Sequence, residues 1–405
     1  MSTATTVSAP VTRGWTSRFG LVWFGIWLAW LVPIQLALPE QLDHVDPGHS
    51  IRDFGIINGV VGVVAIITLP LFGALCDRTR SPFGRRRVWV VIGLAVFAAG
   101  IVASGLMTQW MLIGVAWTVA SVGYNILSAT LAAVVADQVP EQQRGVISAA
   151  MYGPQAVGIL FGVVAVGGLS DLGRYLVIAA VLVVCVLPWL LRQRDVVPAS
   201  GAGTVRIRDI FATMAVDPRA DPDFAWGFAG RLLVNLGNAL GTTQMLFFLR
   251  DGLRVHDPDG TLTLVLLAYL AATLIATWVA GTLSDRSGKR RIFVAWAAAL
   301  SASSGVLLAL APSLPMTYVA AALAGAGYGA YMAVDQALIT AVLPAAEDRA
   351  KDLGIMNIGS AGPQAFGALF ASGLINASGF GLLFTVSAVV AIAGTLMVYR
   401  IKSVP

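Results

Sequence analysis

Long apolar runs separated by short polar turns make up most of the chain. Val88–Leu106 and Gly381–Val398 contain no charged residue at all. Each approaches the roughly 20 apolar residues that cross the hydrocarbon core of a bilayer as a helix. Neither alternates between apolar and polar positions, which excludes the strands of a membrane barrel. Backbone groups inside lipid must be satisfied within the segment, so these runs are read as helices. The pattern predicts twelve spans, at roughly 19–39, 55–76, 88–107, 111–135, 145–168, 174–191, 223–249, 262–283, 292–311, 315–343, 354–375 and 379–399.

Composition agrees. Hydrophobic residues make up 57% and charged residues 12% of the 405, against about 25% charged in soluble domains. With a mean hydropathy of +0.80, too few polar residues remain to cover a water-facing surface. Met1–Ser17 is polar, and no short apolar core with a small-residue cleavage site follows it, so the first span is expected to be retained. Cys76 and Cys185 fall in or beside spans, which suits buried thiols better than a disulfide or a metal pair.

The placement of charge sets an expected orientation. Of 26 Lys and Arg, Arg52, Arg174, Arg250 and Arg254 fall on one side, Arg231 lies within a span, and all others fall on the opposite side. Cytoplasmic loops carry the excess of Lys and Arg, so both termini are expected in the cytoplasm of a cell whose cytoplasmic membrane holds the chain. The longest loop, 192–222, carries clustered charge and Ser200-Gly201-Ala202-Gly203, and it separates six spans from six. The expected domains are therefore 1–191, a cytoplasmic linker 192–222, and 223–405. Within the linker, Ile207, Ile210, Phe211 and Met214 recur at helical spacing, as in a short helix on the membrane surface or in a plain linker.

The two halves repeat. Gly73-Ala-Leu-Cys-Asp77-Arg78 ends span 2, and Gly281-Thr-Leu-Ser-Asp285-Arg286 ends span 8. Gly84-Arg85-Arg86-Arg87 matches Gly288-Lys289-Arg290-Arg291, Gly123-Tyr124 matches Gly327-Tyr328, and Pro140 matches Pro344, all at an offset of 204. Gly153-Pro154-Gln155-Ala156 then matches Gly362-Pro363-Gln364-Ala365. Related six-helix halves are an architecture of alternating-access transporters.

At these residues the chain resembles the major facilitator superfamily over nearly its whole length. The Gly-x-Leu-x-Asp-Arg…Gly-Arg-Arg-Arg run looks like that family's loop signature between helices 2 and 3. Its expanded form, Asp77 to Arg87, and Tyr331-Met-Ala-Val-Asp335-Gln336 are most similar to the sucrose-type and glycoside–cation symporter branches. The resemblance implies an all-α membrane protein with twelve transmembrane helices in two pseudo-symmetric six-helix bundles, helices 1, 4, 7 and 10 lining a central cavity. It also implies that Gly73, Asp77, Arg78, Arg85, Asp285, Arg286 and Arg290 act as a conformational latch, not in substrate recognition. Read from the residues alone, the same arginines could simply anchor the loops in the cytoplasm.

Two charges lie inside spans. Arg231 is eight residues past Asp223, and Asp335 nine before Pro344, so each sits about 12–14 Å into its helix. A charge at mid-bilayer costs roughly 2.5–3.5 kcal/mol on insertion scales, and such groups find partners in the protein interior. Arg231 and Asp335 are candidate partners and the candidate proton-coupling pair. Desolvation disfavours a charged carboxylate, which makes Asp335 the proton site. Snorkelling of Arg231 and a structural hydrogen bond from Asp335 are the competing readings.

Arg231, Asn235, Asn238 and Thr242 form one polar stripe, and Tyr328, Tyr331 and Asp335 another. With Tyr124, Asn125 and Trp27 these make up the candidate substrate-binding set: Trp27, Tyr124, Asn125, Asn235, Asn238, Thr242, Tyr328 and Tyr331. Amides and hydroxyls beside aromatic rings suit a neutral, sugar-like or glycoside-like solute, and they also suit bonding between helices. The function expected is proton-coupled symport of such a small molecule, with a drug or metabolite exporter as the alternative.

An enzyme is disfavoured, since His44, His49 and His256 lack ligand spacing, and so is a channel, since the chain shows no carbonyl filter or charged ring. No nucleotide-binding loop occurs. The expected partners are the solute, protons and the bilayer, with no cofactor, no metal, no nucleic acid and a monomeric state. A single cysteine placed in the 192–222 loop should react with an impermeant maleimide in inverted vesicles and not in intact cells. Labelling from outside would overturn the orientation.

Overall fold

The computed structural model describes residues 10–79, 81–140, 143–192, 222–287, 290–342 and 349–401. The loop expected between the halves, with Ile207, Ile210, Phe211 and Met214, lies outside them. Among the described residues the chain forms twelve helical segments and no strand. They are α1 (Arg13–Val45), α2 (Ser50–Arg78), α3 (Arg85–Leu106), α4 (Trp110–Gln138), α5 (Arg144–Tyr152 and Pro154–Val166) and α6 (Asp171–Arg192). Then follow α7 (Pro222–Gly252), α8 (Pro258–Ser287), α9 (Arg290–Leu310), α10 (Leu314–Val342), α11 (349–377) and α12 (380–399). The last two run on continuously except at Ser378 and Gly379, where Gly379 takes φ 77°, a backbone region that glycine enters without steric cost.

Ten stretches among the described residues are long and apolar enough to cross a membrane. Their outer faces agree with lipid as the solvent: Ile66 and Ile67 on α2, and Ile275 and Trp278 on α8, are all exposed. An apolar surface of this kind is stable in lipid and a liability in water. The protein is an all-α, multi-pass membrane protein.

Interruptions within helices have local causes. Pro33 widens α1 into a π turn over Pro33–Ala37, with Leu38 N–H donating to the Pro33 carbonyl. In α5 the helix breaks at Gly153, because Pro154 has no N–H to give the preceding turn. In α7 the regular helix stops at Thr242 and resumes at Met245, then loosens into a π turn over Phe248–Gly252. Side chains meet the carbonyls near two of these breaks. Trp27 Nε1 donates to Met151 O at 2.7 Å, and Gln244 Nε2 donates to Ala368 O at 3.2 Å and to Ser372 Oγ at 2.9 Å.

The chain divides into two compact units, Met1–Gly48 with Val60–Ile207, and His49–Gly59 with Arg208–Pro405. In the first, α3 packs against α4 and α6, and α1 against α5 and α6. In the second, α8 and α9 each pack against α10, and α7 packs along the 349–399 segment. The first turns of α2 cluster with this second unit: Phe54 meets Phe247 edge-on at 5.6 Å, and Ser372 Oγ donates to Ile51 O at 2.6 Å.

The sequence repeat has a packing counterpart. A Cβ at Gly123 would fall 2.3 Å from Phe97 N on α3, and one at its counterpart Gly327 would fall 2.6 Å from Ala297 O on α9. Each half thus closes its third and fourth helices onto a glycine. Gly123→Ala should destabilise the protein by about 1–3 kcal/mol through overpacking against backbone. Gly373→Ala should not, because a Cβ added there meets nothing within 4 Å. Thermal unfolding in detergent compares the two.

Candidate functional site

In the second unit α7 and α10 lie side by side and bring the two intramembrane charges together. Arg231 Nη1 donates to Asp335 Oδ2 at 2.6 Å, and the two residues are 5% and 1% exposed. Snorkelling is thereby excluded for Arg231, because its guanidinium is held inside the bundle. A charge-assisted bond of this length is among the strong ones, and neither ion has water to fall back on. Asn235 Nδ2 donates to the Arg231 carbonyl at 2.9 Å, one turn back along α7.

Two tyrosines from α10 complete the surroundings. Tyr331 is 1% exposed, and among the described residues neither its hydroxyl nor Asp335 Oδ1 has a hydrogen-bond partner. Tyr328 stands two turns before Asp335 on the same helix, and Tyr269 belongs to α8. Tyr269 in turn donates to Asn238 Oδ1 at 3.0 Å, and Thr242 Oγ1 donates to Asn238 O at 2.9 Å. Asn238 and Thr242 line a cavity that neither Asn235 nor the ion pair reaches. Arg231, Asp335, Tyr328, Tyr331, Asn235, Asn238 and Thr242 therefore all belong to the second unit. Tyr269 belongs to the same unit, on α8, where it begins a stripe with Thr273 and Thr277 that the sequence analysis did not single out.

In the first unit Tyr124 stacks on Trp30 at 4.3 Å, and Trp117 stacks on Trp30 at 5.4 Å. Phe97 meets Tyr124 edge-on at 6.0 Å. The aromatic wall is built on Trp30, whereas Trp27 turns to α5 and spends its N–H on Met151. Both belong to the run Trp23, Trp27, Trp30, whose spacing shows a shared face and not which ring stacks. Asn125 Nδ2 donates to Thr68 Oγ1 at 2.8 Å, joining α4 to α2.

Of the latch residues, the side chains of Asp77, Arg78, Asp285 and Arg290 lie outside the described residues. Gly73 faces open space, and Arg286 is exposed. Arg85 is paired within its own unit: Arg85 Nη2 and Arg86 Nε meet Asp137 Oδ2 at 2.7 and 2.9 Å. Arg86, 3% exposed, also donates to Cys76 Sγ at 3.1 Å. Sequence reasoning did not single out Arg86 or Asp137. The available signal was a carboxylate ending one span on the same side as the arginine run. At the other end of this unit, Arg174 pairs with Glu40, and His44 Nδ1 lies 3.0 Å from Asp171.

Helices wrapped in apolar surface around a buried, compensated charge pair define a helical membrane protein. The chain belongs to the Major Facilitator Superfamily, whose family model matches residues 19–262 and 255–405. It is 28% identical over 141 residues to the lysosomal dipeptide transporter MFSD1 of Bos taurus, and over the same length to that of Homo sapiens. That match covers 34% of this chain and 28% and 29% of those relatives, so the chain spans less than a third of their length.

Among solved structures it is similar to a POT family transporter in complex with a thioalcohol-conjugated peptide (TM-score 0.75, 13% identity, 96% of this chain and 95% of that one). It is also similar to the nucleoside transporter NupG (0.73, 12%, 96% and 99%) and to a bacterial homologue of the human lysosomal transporter Spinster (0.69, 13%, 96% and 96%). At such identities the structures show the fold alone. Secondary transport is the activity of this family.

Removing one partner of a buried ion pair leaves the other uncompensated and typically costs about 3–5 kcal/mol. Arg231→Met should lower stability by that order, and adding Asp335→Asn should recover most of the loss. Equal unfolding temperatures for Arg231→Met and the double variant would show that the two residues are not coupled.

Proposed function

We propose that this chain is a proton-coupled symporter of a small, net-neutral solute, working by alternating access in the cytoplasmic membrane. One observation carries the reading: the Arg231–Asp335 pair, closed at 2.6 Å inside the membrane-spanning part of the second unit. A carboxylate with a single cationic partner among the described residues can be released in two ways, by a proton or by a competing ligand. Protonation neutralises Asp335, dissolves the ion pair and frees the guanidinium to donate to oxygens of the solute. Return of the proton to water restores the pair and expels the solute. Tyr328 and Tyr331 stand on the same helix as Asp335, and Asn238 and Thr242 continue the polar face along α7. Asn125, Asn235 and Trp27 each give an N–H to a partner within the protein, and the amide oxygens of the two asparagines are the atoms they would offer a solute.

A sugar-like or glycoside-like solute fits the hydroxyl- and aromatic-rich lining. The likeness to dipeptide transporters favours a second substrate class, a zwitterionic peptide whose carboxylate and ammonium groups would take Arg231 and Asp335 respectively. Residues Gly73, Asp77, Arg78, Arg85, Asp285, Arg286 and Arg290 act on conformation in this reading. The Lys and Arg asymmetry supports termini on the cytoplasmic side, and the protein works as a monomer.

The test is uptake of sugars, nucleosides and dipeptides into proteoliposomes, with and without a pH gradient. One coupled proton yields about tenfold accumulation per unit of ΔpH, since one unit is worth about 1.4 kcal/mol. Asp335→Asn should equilibrate the solute without concentrating it, while retaining exchange of labelled for unlabelled solute. Wild-type accumulation by Asp335→Asn would remove the proton-site assignment.

A further inference from the structure

The first unit has a pocket of its own. It measures about 440 Å³ and lies between the start of α1 and the start of α5, within the roughly 300–1,000 Å³ usual for small-molecule sites. Arg13, Thr16 and Ser17 line it from α1, and Val146, Ile147 and Ala150 line it from α5. Two membrane-crossing stretches, Arg13–Val45 and Val146–Val166, begin at these residues. The pocket therefore sits where both spans pass from the headgroup layer into hydrocarbon.

Local bonding shapes it. The Val11 N–H donates to Gln143 Oε1 at 2.8 Å, and Gln143 Nε2 donates to Val11 O at 3.2 Å. This two-bond clasp ties the residues ahead of α1 to those ahead of α5. Deeper in, a Cβ at Gly20 would lie 3.6 Å from Ala150 O, so the two helices meet in van der Waals contact on the inner side of the pocket. Thr16 Oγ1 donates to Thr12 O at 3.3 Å, and Ser17 Oγ donates to Arg13 O at 3.0 Å. With those hydroxyl protons given to α1 itself, the guanidinium of Arg13 is the strongest donor left. Arg13 carries the only charge among the lining residues, and it is exposed.

An apolar seam leads away from the pocket along the same two helices. Phe24 and Phe161 meet across it with ring centres 5.9 Å apart, and Leu21, one turn before Phe24, is exposed. On α5, Val157, Phe161 and Val164 are exposed and recur at helical spacing on one face. From Val146 to Phe161 the helix covers about 20 Å, against roughly 15 Å of hydrocarbon in one leaflet, so the seam is long enough for a whole acyl chain. A free anion gains nothing from the seam, and a lipid without net charge gains little from Arg13. A guanidinium suits phosphate in particular, because its fork of donors meets two oxygens at once.

We propose that this pocket binds one anionic phospholipid, with the headgroup phosphate on Arg13 and an acyl chain laid along the seam between α1 and α5. Bound there, the lipid joins the starts of two helices that the Val11–Gln143 clasp already ties. The site does not depend on the Arg231–Asp335 pair, and it holds whichever solute the protein moves.

Native mass spectrometry of the full-length protein counts bound lipid, with phosphatidylglycerol, phosphatidylcholine and inorganic phosphate as the three probes. Wild type should retain one phosphatidylglycerol about fivefold more tightly than phosphatidylcholine, the attraction of one basic residue for anionic lipid. Inorganic phosphate at equal concentration should not displace it. Arg13→Gln should weaken binding by about tenfold, the size expected for loss of a hydrogen bond to a charged group. Ser17→Leu keeps the charge but fills the pocket, and it should weaken binding as well. Both side chains are exposed, so folding is retained. Arg18→Gln removes a charge that does not line the pocket and should change nothing. Equal losses from Arg13→Gln and Arg18→Gln would mean diffuse attraction of anionic lipid and would overturn the proposal. So would displacement by inorganic phosphate, which would make this a free-anion site, or equal retention of the two lipids. Undiminished binding by Ser17→Leu would place the lipid elsewhere and overturn it too.

Discussion

Hydrocarbon offers no hydrogen bonds, and many polar side chains among the described residues are arranged around that fact. Regular helices satisfy their own backbone, so the informative places are those where the helix is interrupted. There the same solution recurs: a long side chain with an N–H reaches across to a carbonyl on a neighbouring helix. Trp27 does so for Met151 beside the Gly153-Pro154 break, and Gln244 does so for Ala368 from within the break in α7. Gln41 does so twice at the end of α3, donating to Ser104 O at 2.8 Å and Met107 O at 3.1 Å while Tyr175 donates to its own Oε1 at 2.8 Å. Gln41, Gln244 and Trp27 therefore serve first as backbone partners.

Charges obey the same constraint with higher stakes. The pair Arg231–Asp335 and the cluster Arg85, Arg86 and Asp137 are both closed within a single unit, but they differ in kind. Asp137 accepts from two guanidinium groups, so loss of one leaves the other. Asp335 has a single cationic partner among the described residues and two tyrosines beside it. The first arrangement suits a fixed clamp at a helix end. The second suits a group that changes charge.

The internal repeat sharpens this contrast. At the offset of 204 that relates Gly123 to Gly327, Asp335 corresponds to Leu131 and Asp137 to Ala341. Backbone-determined features, the glycines on which α3 and α9 close, are shared by both halves. The charges of the helix 2–3 and 8–9 loops repeat as well, but the carboxylates Asp335 and Asp137 do not. Duplication preserved the packing that makes each half a bundle, while each half carries its own chemistry: an aromatic wall on Trp30, Tyr124 and Trp117 in one, an ion pair in the other.

The sequence alone determined the solvent, the number of spans, the repeat and the two charges that had to find partners. These follow from one-dimensional rules: an apolar length against a bilayer thickness, a helical period, and the cost of an ion in lipid. Equal depth on two helices even made Arg231 and Asp335 candidates for each other. Only the tertiary structure decided which side chain met which. Asn125 faces Thr68, Asn235 bonds to its own helix, and Trp30 stacks where Trp27 does not. Arg86 and Asp137 found each other across 51 residues. A helical period assigns a residue to a face but leaves open the rotation of that helix and the identity of its neighbour, and a polar side chain a few ångströms long is settled by both.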